Sequence, residues 1–288
     1  MQAHLTNQPN LTDKDFYERL AKDCKSSLIQ IVGEAGTGKT SSLRTIISRI
    51  QKIDLNIKWV IYDVSQAWFH NAPVDKRQLV TRERLKGGRI TNEYDCVYEM
   101  GALSEDERRA FVGTCLNQHF QQRYQAKLEG RLKEFPTVCF VFEEANIYFG
   151  SYSFRRNDEY SQTFQMFASV GRNYSLRGWL VATVEASEIS PSLRRRTRKL
   201  YATTIAEEDI RTAKKVGVTI DISKIPKYNF HYYGQTIHIK DEVNNTPLDF
   251  IRVPIEVDGT KKRFNLSWWI QFITPILVMI MFYLYFVE

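Results

Sequence analysis

A chain of 288 residues with 43% hydrophobic and 25% charged side chains can bury a full core, and it is too charged to be a bundle of membrane helices. Its formal net charge of +7 favours a polyanionic partner, either nucleic acid or an anionic membrane surface. Cys24, Cys96, Cys115 and Cys139 show no short paired spacing, which argues against a disulfide scaffold or a zinc site.

In chain order, residues 1–26 are expected as an N-terminal helical segment whose polar start lacks the apolar run of a secretory signal. The body, 27–240, alternates apolar runs with long amphipathic segments, which predicts an α/β fold with a mostly parallel central sheet flanked by helices. Strands are predicted over 27–32, 58–62, 95–99, 137–142, 178–183 and 200–204, and helices over 42–53, 104–132 and 158–172. Ser104 and Glu107 make a capping box for the second of these helices, and Pro136 lies just past its end. Residues 230–239, with Gly234 in the middle, read as a closing hairpin.

The first strand runs straight into Gly33-Glu34-Ala35-Gly36-Thr37-Gly38-Lys39-Thr40, followed by Ser41. This is the G-x-x-x-x-G-K-T pattern of a P-loop, which makes the body a P-loop NTPase domain and implies ATP and Mg²⁺. Its glycines let backbone N–H groups turn inward around a β-phosphate, and the following helix adds its positive N-terminal dipole. Lys39 reaches the β- and γ-phosphates, while the Thr40 hydroxyl ligates Mg²⁺. The strand Val138-Cys139-Phe140-Val141-Phe142 ends on Glu143 and Glu144, placing two carboxylates at the C-terminal edge of a central strand. Their adjacency suggests a division of labour in which Glu143 holds the metal shell and Glu144 orients or deprotonates the attacking water. Aspartate is the usual residue at the first position, so the longer Glu143 is a departure.

Two basic stretches could meet a polyanion. Residues 148–156 interleave Tyr148, Phe149, Tyr152 and Phe154 with Arg155 and Arg156, a pattern suited to backbone neutralisation with stacking. Lys76, Arg77, Arg82, Arg84, Lys86 and Arg89 form a second cluster. Beyond the body, 241–266 read as a polar linker. Apart from Glu288, residues 267–288 carry no charge, and Trp268 to Val287 are long enough for one C-terminal transmembrane helix. Lys261, Lys262 and Arg263 just before that stretch predict a single-pass membrane protein whose N-terminal body stays in the cytoplasm.

The P-loop, the Glu143-Glu144 strand and the segment Gly171-Arg172 ahead of Trp179-Leu180-Val181-Ala182-Thr183 together resemble the HerA/FtsK group of DNA-pumping ATPases. The resemblance spans about 28–217 and takes in Asp63 after the second strand and the acidic turn Glu207-Glu208-Asp209. It implies a homo-oligomeric ring with DNA in its pore, Arg172 as a trans-acting arginine finger, and further finger candidates in Arg194, Arg195, Arg196 and Arg198. Where the group carries a sensor glutamine this chain has Val184, and Thr183 is the substitute. The expected function is a membrane-anchored, ATP-hydrolysing DNA motor of the genome-packaging kind. Its setting would be a host inner membrane or a virion internal membrane, with capsid or membrane proteins as possible partners. The alternatives are a filamentous-phage extrusion ATPase of the zonula occludens toxin-like family and a nucleotide-dependent membrane scaffold that does no work.

Overall fold

A computed structural model describes residues 13–72, 74–86, 94–156, 158–182, 188–232 and 234–239. The helices are α1 (Asp13–Ser26), α2 (Lys39–Ile53), α3 (Arg82–Lys86), α4 (Glu105–Leu128), α5 (Asn146–Phe149), α6 (Ser151–Arg155), α7 (Glu159–Val170), α8 (Pro191–Arg194) and α9 (Glu207–Lys215). The strands are β1 (Leu28–Val32), β2 (Ile57–Asp63), β3 (Arg77–Leu79), β4 (Cys96–Glu99), β5 (Thr137–Phe142), β6 (Leu176–Ala182), β7 (Thr197–Tyr201), β8 (Asn229–Tyr232) and β9 (Gln235–His238). They form one sheet in the order β3-β4-β2-β5-β6-β1-β7-β8-β9. Pairing is parallel from β3 through β7 and antiparallel for β8 and β9.

Both faces of the sheet are covered, so its central strands are mostly apolar, with Gln30 of β1, Lys58 of β2 and Arg177 of β6 as interior exceptions, and alternate in destination more than in polarity. On β5, Cys139 and Val141 join a core with Leu20, Ile46, Ile47 and Ile50 of α1 and α2, while Val138, Phe140 and Phe142 face Phe111, Leu116, Phe164 and Phe167 of α4 and α7. Tyr62 stacks on Phe140 with the rings 6.1 Å apart and 5° from parallel. The capping box is present at the start of α4: Ser104 Oγ accepts from Glu107 N, and the Glu107 carboxylate accepts from Ser104 N. Asp158 caps α7, which ends at Val170 in a 3-10 turn over Gly171–Tyr174. Gly234, at φ +83, turns the expected hairpin. The short edge strand β3 is not among the expected elements, because its three residues are too few to show a period.

The membrane placement is corrected. Among the described residues no helix is long and apolar enough to cross a membrane. The longest of them, α4, opens on Glu105, Asp106 and Glu107 and carries Arg108, Arg109 and Arg123 within its length. The linker 241–266 and the stretch 267–288 lie outside the described residues.

One buried base makes the fold pH-sensitive. His119 of α4 is 1% exposed, stacks on Tyr94 and meets the edge of Phe140. Arg123 can only donate, so His119 Nδ1 accepts from Arg123 Nη1 at 3.2 Å. Burial first, and then the Arg123 charge, pushes the His119 pKa down to about 3. The folded protein therefore keeps His119 neutral while the unfolded chain protonates it below its ordinary value of about 6.5. Stability from this group is intact above that value and is lost as pH falls towards 3. Replacing His119 with Gln, which preserves an acceptor, should remove this loss. In urea unfolding, the stability of the parent relative to His119→Gln is expected to fall by about 2 kcal/mol between pH 7 and pH 5.

Candidate functional site

The site is built at the C-terminal ends of β1, β5 and β6. β1 is buried along its whole length between β6 and β7, so the residue after Val32 emerges at the middle of the sheet edge. Gly33 is required there by close approach: a Cβ on it would lie 2.6 Å from Ala202 Cβ, just beyond β7. Glu34 N donates to Thr203 O at 2.9 Å, and the Glu34 carboxylate accepts from Ile205 N at 2.7 Å. Thr37 Oγ1 donates to Glu34 O at 2.8 Å. Gly36 and Gly38 take φ of +78 and +91, a region that L side chains rarely adopt. Gly38 is the N-cap of α2, so the first-turn N–H groups meet no capping side chain and stand ready for an anion.

Lys39 Nζ donates to the carbonyls of Gly33 and Glu34 at 2.5 and 2.8 Å. Burial lowers its pKa, opposed by the carboxylates of Glu188, Glu34 and Glu143. Thr40 Oγ1 donates to Glu143 Oε1 at 3.2 Å across 103 positions of sequence. The Glu143 carboxylate is 5% exposed and well supplied with donors. Trp68 Nε1 reaches Oε1 at 2.8 Å, and Ser65 Oγ reaches Oε2 at 2.9 Å. Val64 N and Ser65 N complete the set at 3.2 and 3.3 Å. Asp63, fully buried at the end of β2, holds the same loop by accepting from Trp68 N and Phe69 N at 3.0 and 2.8 Å. Burial, and next the Glu143 charge, pushes the Asp63 pKa up to about 6, against the lowering effect of the Phe69 and Trp68 N–H groups.

Thr40 and Glu143 supply two hard oxygens within hydrogen-bond distance of each other, a pair that fits Mg²⁺. Among the described residues no cluster of three or more His, Cys, Asp or Glu could hold a metal. Mg²⁺ needs none, because it keeps waters and substrate phosphates in its shell. Glu144 follows in a left-handed backbone at φ +49, and its carboxylate pairs with Arg108 Nη1 of α4 at 3.3 Å. An open cleft of about 640 Å³ joins these groups and is lined by Ala35, Gly36, Lys39, Thr40, Glu143 and Glu144, with Gly38 and Ser41 beside them. Gly33, Glu34 and Thr37 shape the loop rather than line the cleft. A groove of about 710 Å³ along α9, lined by Glu207, Glu208, Ile210, Arg211, Lys214 and Lys215, includes none of them.

The remaining candidates from the sequence lie away from this cleft or outside the described residues. Arg172 is exposed in the turn before β6, whereas the P-loop lies past the far end of the parallel β1; seven residues of β6 separate the two levels, about 23 Å. Arg172 does not reach its own P-loop, and Arg194, Arg195 and Arg196 likewise precede β7 at that opposite edge. Thr183 follows Ala182 directly but lies outside the described residues, as do Val184 and Arg89.

The aromatic and arginine loop is corrected. Tyr148 and Phe149 are fully buried, and the Phe149 ring meets Phe142 edge-on at 4.9 Å. Arg109, 1% exposed, staples the segment from inside, with Nη1 on Ile147 O at 2.6 Å and Nη2 on Asp158 and Ser161. Arg156 pairs with Asp106, Glu105 and Asp158, which offset its charge. Tyr152 and Arg155 alone of the six remain exposed. The second cluster is also divided: Arg77 donates to the carbonyls of Ala72 and His70, and Arg82 pairs with Glu107.

Sequence reasoning passes over Ser65, Trp68, Arg108, Lys227 and Tyr228. Each lies in a loop or on a helix whose local pattern carries no motif, and only tertiary packing brings Ser65, Lys227 and Tyr228 to the cleft and Trp68 and Arg108 to its carboxylates.

No protein-family profile matches the chain, and no curated protein matches it either. Solved structures do. The genome packaging NTPase B204 from Sulfolobus turreted icosahedral virus 2, in complex with AMPPCP, is 12% identical; the match covers 74% of this chain and 96% of that one, with a TM-score of 0.51. The same protein with AMP matches over 74% and 96% at 12% identity and a TM-score of 0.50. The conjugation coupling protein TcpA of pCW3, with ATPgS, matches over 79% and 65% at 14% identity and a TM-score of 0.48. The chain therefore shares the fold of a nucleotide-binding genome-packaging NTPase.

Trp68 gives the geometry a direct test. Trp68→Phe keeps an apolar ring but removes the indole donor to Glu143. Partners that orient a ligating group typically contribute 10- to 100-fold to metal affinity. The Mg²⁺ concentration for half-maximal nucleotide binding should rise about tenfold, read by titrating Mg²⁺ at fixed nucleotide.

Proposed function

We propose that this chain is an ATP-hydrolysing motor that translocates DNA, of the genome-packaging kind. The observation that carries the reading is the clasp of Thr40 on Glu143, with Lys39 and Glu144 lining the same cleft. In this reading Lys39 and the first-turn N–H groups of α2 hold the β- and γ-phosphates, and Thr40 with Glu143 hold Mg²⁺. Mg²⁺, when bound, neutralises charge on the phosphates. Glu144 orients the attacking water and takes its proton as the bond between the γ-phosphorus and the bridging oxygen breaks, leaving ADP and phosphate.

Glu144 has to leave Arg108 to do this. The carboxylate of that pair is 56% exposed, and ion pairs of this exposure contribute about 0–1 kcal/mol, so the release is easily offset. Arg172 acts, in this reading, on a neighbouring copy in a ring, since its place at the opposite sheet edge bars it from its own P-loop. DNA as the substrate rests on the shared fold with a genome-packaging NTPase and on the net charge of +7. No feature of the described residues favours extrusion or a non-motor scaffold.

The full chain should hydrolyse ATP with Mg²⁺, and faster with DNA. Glu144→Gln should still bind ATP while turnover drops by about 10²- to 10⁴-fold, the usual contribution of a general base. Lys39→Ala should lose ATP binding. Absence of turnover in the parent protein under conditions that form oligomers would refute the motor reading.

A further inference from the structure

The cleft has a wall that the P-loop does not supply. Lys227 and Tyr228, in the connection between the 3-10 turn Ile222–Lys224 and β8, line it together with Ala35, Gly36 and Ser41. The half-buried Tyr228 ring rests on Gly38: a Cβ there would lie 2.4 Å from Tyr228 Cδ1 and 2.5 Å from Cε1. Its backbone is fixed on both sides. Tyr228 N donates to Thr37 O at 3.2 Å, and Ile239 N donates to Tyr228 O at 2.9 Å. These bonds hold Tyr228 at φ +62, a conformation that an aromatic residue keeps only where its surroundings impose it. Lys227 Nζ stands over the same ring, 5.0 Å from its centroid, on a flexible exposed stem that can swing aside when a base takes that face.

The order of the sheet gives this wall a direction. Thr40 and Glu143 mark the metal end of the cleft on the β5 side of β1, whereas β7 and β8 lie on the other side. A nucleoside triphosphate with its terminal phosphates between Lys39 and Glu143 extends away from β5, towards the strand that Tyr228 precedes. An aromatic face set there can take a nucleobase by stacking, which is tolerant of base identity because every base has a π-face. Lys227, once displaced from the ring by the base, complements the negative sugar-phosphate end.

We propose that Tyr228 and Lys227 form the nucleoside subsite of this P-loop, with the Tyr228 ring stacking on the base and Lys227 beside the α-phosphate. The assignment rests on the reading of the P-loop as a nucleotide site, so the experiment separates the two. Calorimetric titration of the full chain with ATP and with inorganic tripolyphosphate, each with Mg²⁺, compares the parent, Tyr228→Ala and Tyr228→Phe. Tyr228→Ala should bind ATP about tenfold more weakly with tripolyphosphate affinity unchanged, and Tyr228→Phe should stay within about twofold of the parent for both. Retained tripolyphosphate binding also certifies that the variant keeps its P-loop. Unchanged ATP affinity in Tyr228→Ala, or an equal loss for both ligands, overturns the subsite. A parent protein that binds neither ligand overturns the nucleotide reading itself.

Discussion

A buried carboxylate survives in a protein only when donors surround it, and Glu143 is the point at which this requirement organises the molecule. Its two oxygens take hydrogen bonds from α2 through Thr40, from the loop after β2 through Val64 and Ser65, and from the indole of Trp68. Two segments distant in sequence, α2 and the loop from Val64 to Trp68, are thereby tied to the end of β5. Removing any one donor leaves a desolvated charge short of a partner, which costs more than the bond itself contributes. The P-loop helix and the loop after β2 are therefore not independent pieces, and Asp63 extends the tie one layer further through the backbone of that loop.

Helix α4 serves the same end from the opposite face of the sheet. Arg108 and Arg109 are adjacent and so point about 100° apart around the helix axis. One reaches the Glu144 carboxylate at the rim of the cleft, and the other is buried against Ile147, Asp158 and Ser161. The second fixes the segment that follows the acidic pair, so the backbone at Glu144 is held on both sides. The aromatic side chains of that segment belong to the core for the same reason: Arg109 draws the chain inward and Phe142 provides a ring for Phe149 to meet.

Much of this was legible from residues alone because the signals were local. The apolar runs gave β1, β2, β5 and β6 to within a residue or two, Ser104 and Glu107 gave the start of α4, and Gly234 gave the hairpin. The glycine spacing and the strand ahead of it located the P-loop, and two acids after five apolar residues located Glu143 and Glu144. What was not legible is what the tertiary fold decides. A tryptophan in a loop gives no sign that its indole will serve a carboxylate 75 positions away. The stretch 148–156 reads as a basic, aromatic surface because composition cannot reveal that Asp106, Glu105 and Asp158 offset Arg156, or that Tyr148 and Phe149 turn inward. A three-residue edge strand such as β3 likewise leaves no periodic trace.

The left-handed backbone of Glu144 carries a consequence for how this position can change over generations. A side chain other than glycine, asparagine or aspartate in that region is held at a cost of about 1 kcal/mol, and the exposed pair with Arg108 offsets that cost only in part. On the proposed function, a copy relieved of turning over nucleotide would gain stability with glycine or asparagine there. In the proposed mechanism it is the carboxylate at 144, and not the stability of the backbone beneath it, that calls for glutamate at this dihedral angle.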